Sequence, residues 1–250
     1  MIVIPMAGYG SRFKKAGYDK PKYSLDLNGE TIFYHVLFGF KKYFDTQEFV
    51  FITRQEQGVK DFLRVEAERL GLKNWSLKEL DAPTSGQAET VLFGIKDCSG
   101  EEPLHIFNID TIRFDITLPD FRNSGPKGYL EVFKGEGDQW SFVESGPSNS
   151  VIRTVEKVRI SDLCSTGLYS FRSIDDFADS YRSLSQQTTN DFGECYVAPL
   201  FNYLIASGSL VEYFEVMIDD IGFSGTPEEY WDLKKRDDPR LNLVIETNNN

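Results

Sequence analysis

The chain has 250 residues, 40% of them hydrophobic, with 27 basic against 39 acidic side chains and a net charge of −12. That is enough chain for one large α/β domain or two small ones, and the acidity argues against a general binder of nucleic acid or anionic membrane, which needs a basic face. No apolar run reaches the ~18–20 residues of a membrane helix, and the start, Met1 to Pro5, lacks a basic leader region, so a cytoplasmic protein is expected.

Ile2 to Met6 is a short apolar run that reads as a buried parallel strand. A loop follows, with Gly8, Gly10, Gly17 and Pro21. Ile32, Val36, Phe40 and Phe44 are spaced four apart and predict a helix over 31–44 with Thr31 as its N-cap. Phe49 to Ile52 is a second buried strand, and Val59 to Leu70 a helix that Gly71 closes. Trp75 to Leu80 is a weaker strand, Ala88 to Ile95 a short helix, and Leu104 to Phe107 a third buried strand ending at Asn108-Ile109-Asp110. His105, inside that strand, reads as a buried, hydrogen-bonded imidazole. Beyond residue 120 the segments Tyr129 to Phe133 and Val151 to Lys157 alternate, with turns at Gly135-Glu136-Gly137 and Ser145-Gly146-Pro147 that predict antiparallel hairpins. Thr166 to Phe171 is a strand, Asp175 to Leu184 and Tyr196 to Ile205 are helical, and Val211 to Ile218 is a late strand leading into a turn-rich segment up to Pro227. The tail, Thr247 to Asn250, is expected to fray. Cys98, Cys164 and Cys195 are far apart and odd in number, which excludes neither a thiol nor a core role but argues against disulfides and structural zinc.

Strand–helix alternation over the first 110 residues predicts a Rossmann-like, mostly parallel mixed sheet with helices on both faces, and the hairpins would form a second side. Ligands in such folds sit at the carboxyl ends of the strands, where Gly8–Arg12 and Asp110 fall. Residues 12–22 carry Arg12, Lys14, Lys15, Lys20 and Lys22 against Asp19 alone, a local excess of positive charge in an acidic chain. Glycines let backbone approach a ligand, an arginine forks onto phosphate oxygens and a lysine adds a mobile point charge. The combination suits a polyphosphate. It is not a P-loop, since no Gly-Lys-Ser/Thr closes it. Nor is it a dinucleotide fingerprint, because Phe13 stands where a third glycine or alanine is needed.

Gly8-Tyr9-Gly10-Ser11-Arg12-Phe13, then Lys20-Pro21-Lys22, then Leu27-Asn28-Gly29 resemble the opening of the sugar-phosphate nucleotidyltransferases. The likeness continues in order along nearly the whole chain. Gly86-Gln87-Ala88 resembles the family's Gly-Thr-Ala region near the nucleobase, and Asn108-Ile109-Asp110 its metal-binding aspartate. Glu156-Lys157 with Thr166-Gly167-Leu168-Tyr169 resembles its sugar pocket. Asp220-Ile221-Gly222 with Gly225-Thr226-Pro227-Glu228-Glu229 resembles its late Asp-x-Gly-Thr-Pro element. Three departures stand out. Gln87 replaces a threonine, Asn-Ile-Asp replaces Gly-Asp, and Phe223-Ser224 separates Gly222 from Gly-Thr-Pro.

The resemblance implies a single nucleotidyltransferase domain over 1–250, with a nucleotide half (1–120) and an acceptor half (121–250). Ala7, Gly8, Tyr9, Gly10, Ser11, Arg12, Gly86, Gln87 and Ala88 would bind the NTP. Arg12 and Lys22 would be catalytic, and Glu156, Lys157, Thr166 and Gly167 would hold the acceptor. Asp110 and Asp220 would hold Mg²⁺, with Asp219 as the alternative to Asp220. The implied reaction is transfer of a nucleoside monophosphate from an NTP to a sugar 1-phosphate for glycoconjugate or polysaccharide synthesis, with pyrophosphate released. CTP or dTTP is the expected donor, although no residue chemistry selects the base. Two other readings remain: a cytidylyltransferase acting on a non-sugar phosphorylated headgroup, and a catalytically silent regulatory module. Association into a homo-oligomer is left open.

Overall fold

The computed structural model describes residues 1–56, 58–121 and 125–242, and the expected fraying at 247–250 lies outside them. In chain order the elements are β1 (Ile2–Pro5), α1 (Ser11–Lys15), β2 (Asp26–Leu27), β3 (Glu30–Thr31), α2 (Ile32–Phe38), β4 (Phe49–Arg54), α3 (Val59–Leu70), β5 (Trp75–Leu80), α4 (Gln87–Gly94) and β6 (Leu104–Phe107). There follow β7 (Thr111–Arg113), β8 (Gly128–Lys134), β9 (Ser141–Ser145), β10 (Val151–Glu156), β11 (Leu163–Phe171), α5 (Ile174–Phe192), α6 (Phe201–Ala206), β12 (Val211–Glu215), β13 (Ile221–Phe223) and α7 (Pro227–Lys235).

The sheet has a parallel core in the order β5-β4-β1-β6, which β11 extends antiparallel to β6. On β1 and β4, alternate residues feed two cores. Ile2, Ile4, Phe49 and Phe51 pack under α2 and α3, whereas Val3, Val50 and Ile52 pack under α4, α5 and α6. A strand buried on both faces must be apolar throughout, which is why these runs do not alternate in hydrophobicity. Parallel strands with a helical crossover bring all their carboxyl ends to one edge, and β1, β4, β5 and β6 open there into the signature loop, Arg54, the 80–87 loop and Asn108–Asp110.

Several expected boundaries move. The loop after β1 contains a one-turn helix, α1. Helix α2 is capped by Thr31, whose hydroxyl accepts from the Tyr34 amide at 3.0 Å as expected. It ends at Phe38, not Phe44, because Gly39 lies against β7. A Cβ there would stand 2.2 Å from the Arg113 carbonyl oxygen. Phe40 and Phe44 still reach the core from the following turn. Helix α5 runs on to Phe192 through a polar stretch with no apolar period, and Gly193 ends it at φ 77°. The Gly146 turn closes the β9–β10 hairpin as predicted. The turn at Gly135–Gly137 closes none, because β11 pairs with both β8 and β9 and the two flanking strands are joined through it. The predicted strand 211–218 stops at Glu215, and the segment expected to be turn-rich holds β13 and the start of α7.

His105 is buried, its Nδ1 2.8 Å from the Ser170 hydroxyl. Burial, aided by the nearby N-terminal amine, lowers its pKa to about 3. The fold therefore keeps the imidazole neutral while the unfolded chain takes a proton below about pH 6.5. Its contribution to stability is complete above that value and declines as pH falls towards 3. Urea unfolding at pH 7.5 and pH 5 is expected to show His105→Gln losing ~2 kcal/mol less than the parent over that interval; equal losses would count against it.

Candidate active site

A cleft of about 1270 Å³ opens along the carboxyl edge of the parallel strands. One side is lined by Ala7 to Lys14, Lys22, Arg54, Gly86 and Gln87, and the other by Trp140, Ser141, Glu156, Lys157, Thr166, Gly167 and Tyr196. Asp110 lies between the two sides, and Lys22 donates a hydrogen bond to Asp110 Oδ2 across 88 residues of sequence.

Local structure explains how each group arrives. Asn28 and Gly29 both take positive φ, 53° and 92°, the signature of a tight primed turn joining β2 to β3. That hairpin is held against α7 by Tyr230, whose hydroxyl donates to the Asp26 carbonyl at 2.5 Å. Phe13 and Tyr18 pack edge-on against Tyr230, with centroids 6.3 and 6.1 Å away. The cationic loop is thus anchored on the last helix. Arg54, at the end of β4, donates to the Ala7 carbonyl at 3.0 Å and lies 4.3 Å beneath the exposed Tyr9 ring. On the far wall of the first side, Gly86 has φ 152°, and a Cβ there would meet the Cys195 amide nitrogen at 2.5 Å. The 85–88 loop is therefore docked directly on the chain that carries Glu194 and Tyr196. Ala88 donates its amide to the Cys195 carbonyl at 2.9 Å and is fully buried, so it supports the loop and does not line the cleft. Gln87 reaches Asn108 Oδ1 at 2.5 Å.

On the second side, Glu156 is buried and accepts a hydrogen bond from the Ser141 hydroxyl. Burial raises its pKa, against the pull of Ser141 and Lys157. Tyr169 beside it is pushed to about 12 by burial and the Glu156 charge. Lys157 donates to the Tyr196 hydroxyl. Thr166 lines the cleft, but its hydroxyl is turned inward, 2.8 Å from Glu131 Oε1. Glu131 is fully buried and forms a two-point pair with Arg113, at 2.7 and 3.0 Å.

Asp220 is the departure from the sequence reading. Its carboxylate pairs with Arg240 at 2.7 Å, and its carbonyl accepts from Arg113, outside the cleft. The Asp219 carbonyl is likewise taken by Arg236 and Arg240. Neither aspartate lies beside Asp110. The acid that does is Glu229, on the first turn of α7. Asp110 Oδ2 and Glu229 Oε2 each lie 3.2 Å from the point a Gly225 Cβ would occupy. Burial raises the Glu229 pKa, the Thr226 amide opposes it, Asp110 adds to the rise, and Arg12 pulls back. The pairing of β13 with β7 builds this corner, with Ser224 donating both its amide and its hydroxyl to the Asp110 carbonyl, at 2.9 and 3.0 Å. A sequence signal for Glu229 existed, because Thr226-x-x-Glu229 is a capping box and the box is formed. Trp140 and Phe223 had none. They meet at 4.7 Å between ring centroids and form an aromatic wall beside Ser141.

A parallel sheet with a cationic glycine loop at its first strand end, facing a carboxylate at its fourth within one deep cleft, defines a nucleotidyltransferase. The chain is 42% identical to the nucleoside-diphosphate-sugar pyrophosphorylase from Vibrio cholerae RC9, over 94% of this chain and 100% of that one, with a TM-score of 0.88, and it belongs to that family. The fold is shared more distantly with the inositol-1-phosphate CTP transferase from T. maritima, at 14% identity over 93% and 94% of the two chains and a TM-score of 0.71. It is shared also with a UDP-glucose pyrophosphorylase complexed with UDP-glucose, at 15% identity over 93% and 96% and a TM-score of 0.73. No family model and no curated relative matches the sequence. Among the described residues no helix is long and apolar enough to cross a membrane, and no group of three His, Cys, Asp or Glu side chains gathers as a metal site.

Proposed function

We propose that the protein transfers a nucleoside monophosphate from an NTP to a sugar 1-phosphate and releases pyrophosphate. The observation that carries this reading is the meeting of Lys22 and Asp110 at the head of one cleft that also holds Arg12 and Lys157. An oxygen of the acceptor phosphate attacks the α-phosphorus. The bond from that phosphorus to the bridging oxygen breaks, and its electron pair leaves with pyrophosphate. A phosphomonoester with a second pKa near ~6 is already dianionic at neutral pH, so no general base is required. The work left to the protein is positioning and neutralising charge. Arg12 and the backbone around Gly8–Ser11 grip the β- and γ-phosphates. Lys22 moves between the α-phosphate and the incoming phosphate, and Lys157 holds the acceptor phosphate on the opposite wall. Glu156 accepts hydrogen bonds from acceptor hydroxyls.

The donor set suits Mg²⁺, which takes carboxylate, water and phosphate oxygens and uses only one or two protein carboxylates. Asp110 would hold it, with Glu229 beside it in place of Asp220. When bound it would shield the α-phosphate and fix its geometry.

Trp140 gives the acceptor side its shape. Its indole N–H is spent on the Glu136 carbonyl at 2.9 Å, and its ring is too close to Phe223 for a cation to fit between them. The two rings are a wall and not a cage, which favours the apolar face of a sugar ring over a quaternary ammonium headgroup. The test is a pyrophosphate-release screen of the common NTPs, CTP and dTTP included, against sugar 1-phosphates and headgroup phosphates such as phosphocholine. Turnover is expected with a sugar 1-phosphate, and Trp140→Ala should raise the KM for that acceptor up to about tenfold with little change in the KM for NTP. Release with headgroup phosphates alone would replace the acceptor assignment, and nucleotide binding with no release from any pair would establish the silent-module reading.

A further inference from the structure

We propose that the metal site of this chain is formed by Asp110 and Glu229, and that the Lys22 ammonium holds the Asp110 donor oxygen until nucleotide arrives. This rests on the nucleotidyl-transfer reading above and adds to it a donor set and an order of events.

Three observations converge. First, Asp220 is committed to Arg240 outside the cleft, so it does not share a point in space with Asp110. Two residues before Gly225-Thr226-Pro227, where the Asp-x-Gly-Thr-Pro pattern would place an acid, the chain has Phe223, a cleft-lining ring packed on Trp140 that has no oxygen to offer. Second, two carboxylate oxygens converge on Gly225 from Asp110 and Glu229: Asp110 Oδ2 and Glu229 Oε2 each lie 3.2 Å from the point a Cβ there would occupy, and only a glycine lets both come so close. Third, a cation already pairs with one of the two acids. The Lys22 ammonium bonds to Asp110 Oδ2, the same oxygen that lies against Gly225.

One carboxylate oxygen does not hold an ammonium and a hard divalent ion at the same short distance, since their charges repel. A divalent ion binding Asp110 Oδ2 must displace Lys22 and break its pair with that carboxylate. When an NTP is present the displaced ammonium has phosphate oxygens to go to. Metal and nucleotide are then positively coupled, each binding more tightly with the other present. Lys22 and Asp110 keep 22% and 26% side-chain exposure, so the pair can open without unfolding anything around it. Lys22 thus serves twice, as the counter-charge on Asp110 before nucleotide binds and as the charge delivered to the phosphates.

The test is titration of the full chain with Mn²⁺ alone, without substrate, followed by electron paramagnetic resonance. Removing the competing charge in Lys22→Met should tighten Mn²⁺ binding by at least about threefold, the scale of a partly exposed ion pair. Lys22→Arg, which keeps the charge, should not tighten it. Glu229→Gln should weaken binding by a similar factor in the Lys22→Met background, and Asp220→Asn should leave it unchanged. Gln serves in a capping box as Glu does, so Glu229→Gln preserves the start of α7, and thermal unfolding checks this. Unchanged or weaker binding in Lys22→Met overturns the placeholder role. Loss of binding in Asp220→Asn equal to that in Glu229→Gln overturns the donor set. Neither result depends on turnover, so a failure of the transfer reading shows separately, in the pyrophosphate screen.

Discussion

Lys22→Met is expected to lower kcat by at least about 10²-fold, with the fold intact and the KM for NTP changed far less. The reason lies in where charge accumulates. The ground-state NTP brings its own counter-cations and meets Arg12 and the glycine loop. The transition state adds a second phosphate dianion at the α-phosphorus, and Lys22 is the cation whose ammonium already lies at the boundary between the nucleotide and acceptor sides. An interaction that strengthens only as the two anions close on one another appears in kcat and not in ground-state binding. Lys22→Arg should recover only part of the loss, because a planar fork cannot follow a compact ammonium between two closely spaced phosphates. Pyrophosphate release under saturating substrates measures this. A Lys22→Met enzyme within tenfold of the parent would remove the residue from the chemistry.

The relation between sequence and structure is uneven for physical reasons. The buried parallel strands were legible because short continuous apolar runs of four or five residues have few other solutions. The α2 cap at Thr31 and the αL stop at Gly71 were legible because they rest on local chemistry. The end of α2 was not, because apolar period continues through Phe40 and Phe44 while the constraint comes from Arg113, far along the chain. The β8–β11–β9 arrangement was equally hidden, since a turn sequence states that the chain reverses and not which strand receives it. In the site, the cationic loop and Asp110 follow from local composition and strand ends. The second acid does not. A motif with two extra residues offers Asp219, Asp220 and Glu229 alike, and only the β7–β13 pairing decides which one turns towards Asp110. Thr166 lines the cleft with its hydroxyl committed to a buried carboxylate, an orientation that no local pattern states.

That carboxylate carries the largest expected stability effect. Arg113→Met should cost about 3–5 kcal/mol, because it strands Glu131, fully buried, with no counter-charge. For a chain of this size that corresponds to a fall in Tm of ~6–20 °C. The pair itself contributes little net stability, since burying both charges costs nearly what their attraction returns. A double replacement, Arg113→Met with Glu131→Leu, should therefore recover much of the loss in thermal unfolding. The consequences for the site should not recover with it. Arg113 also holds the Asp220 carbonyl at 2.7 Å at the start of β13, and Glu131 fixes Thr166 on the acceptor wall. Removing both frees the two strands that bring Glu229 to Asp110 and Gly167 to Asn108. The double variant is expected to unfold near the parent temperature while its KM for acceptor rises several-fold. A variant restored in stability and unchanged in acceptor KM would show that the buried pair serves the fold alone.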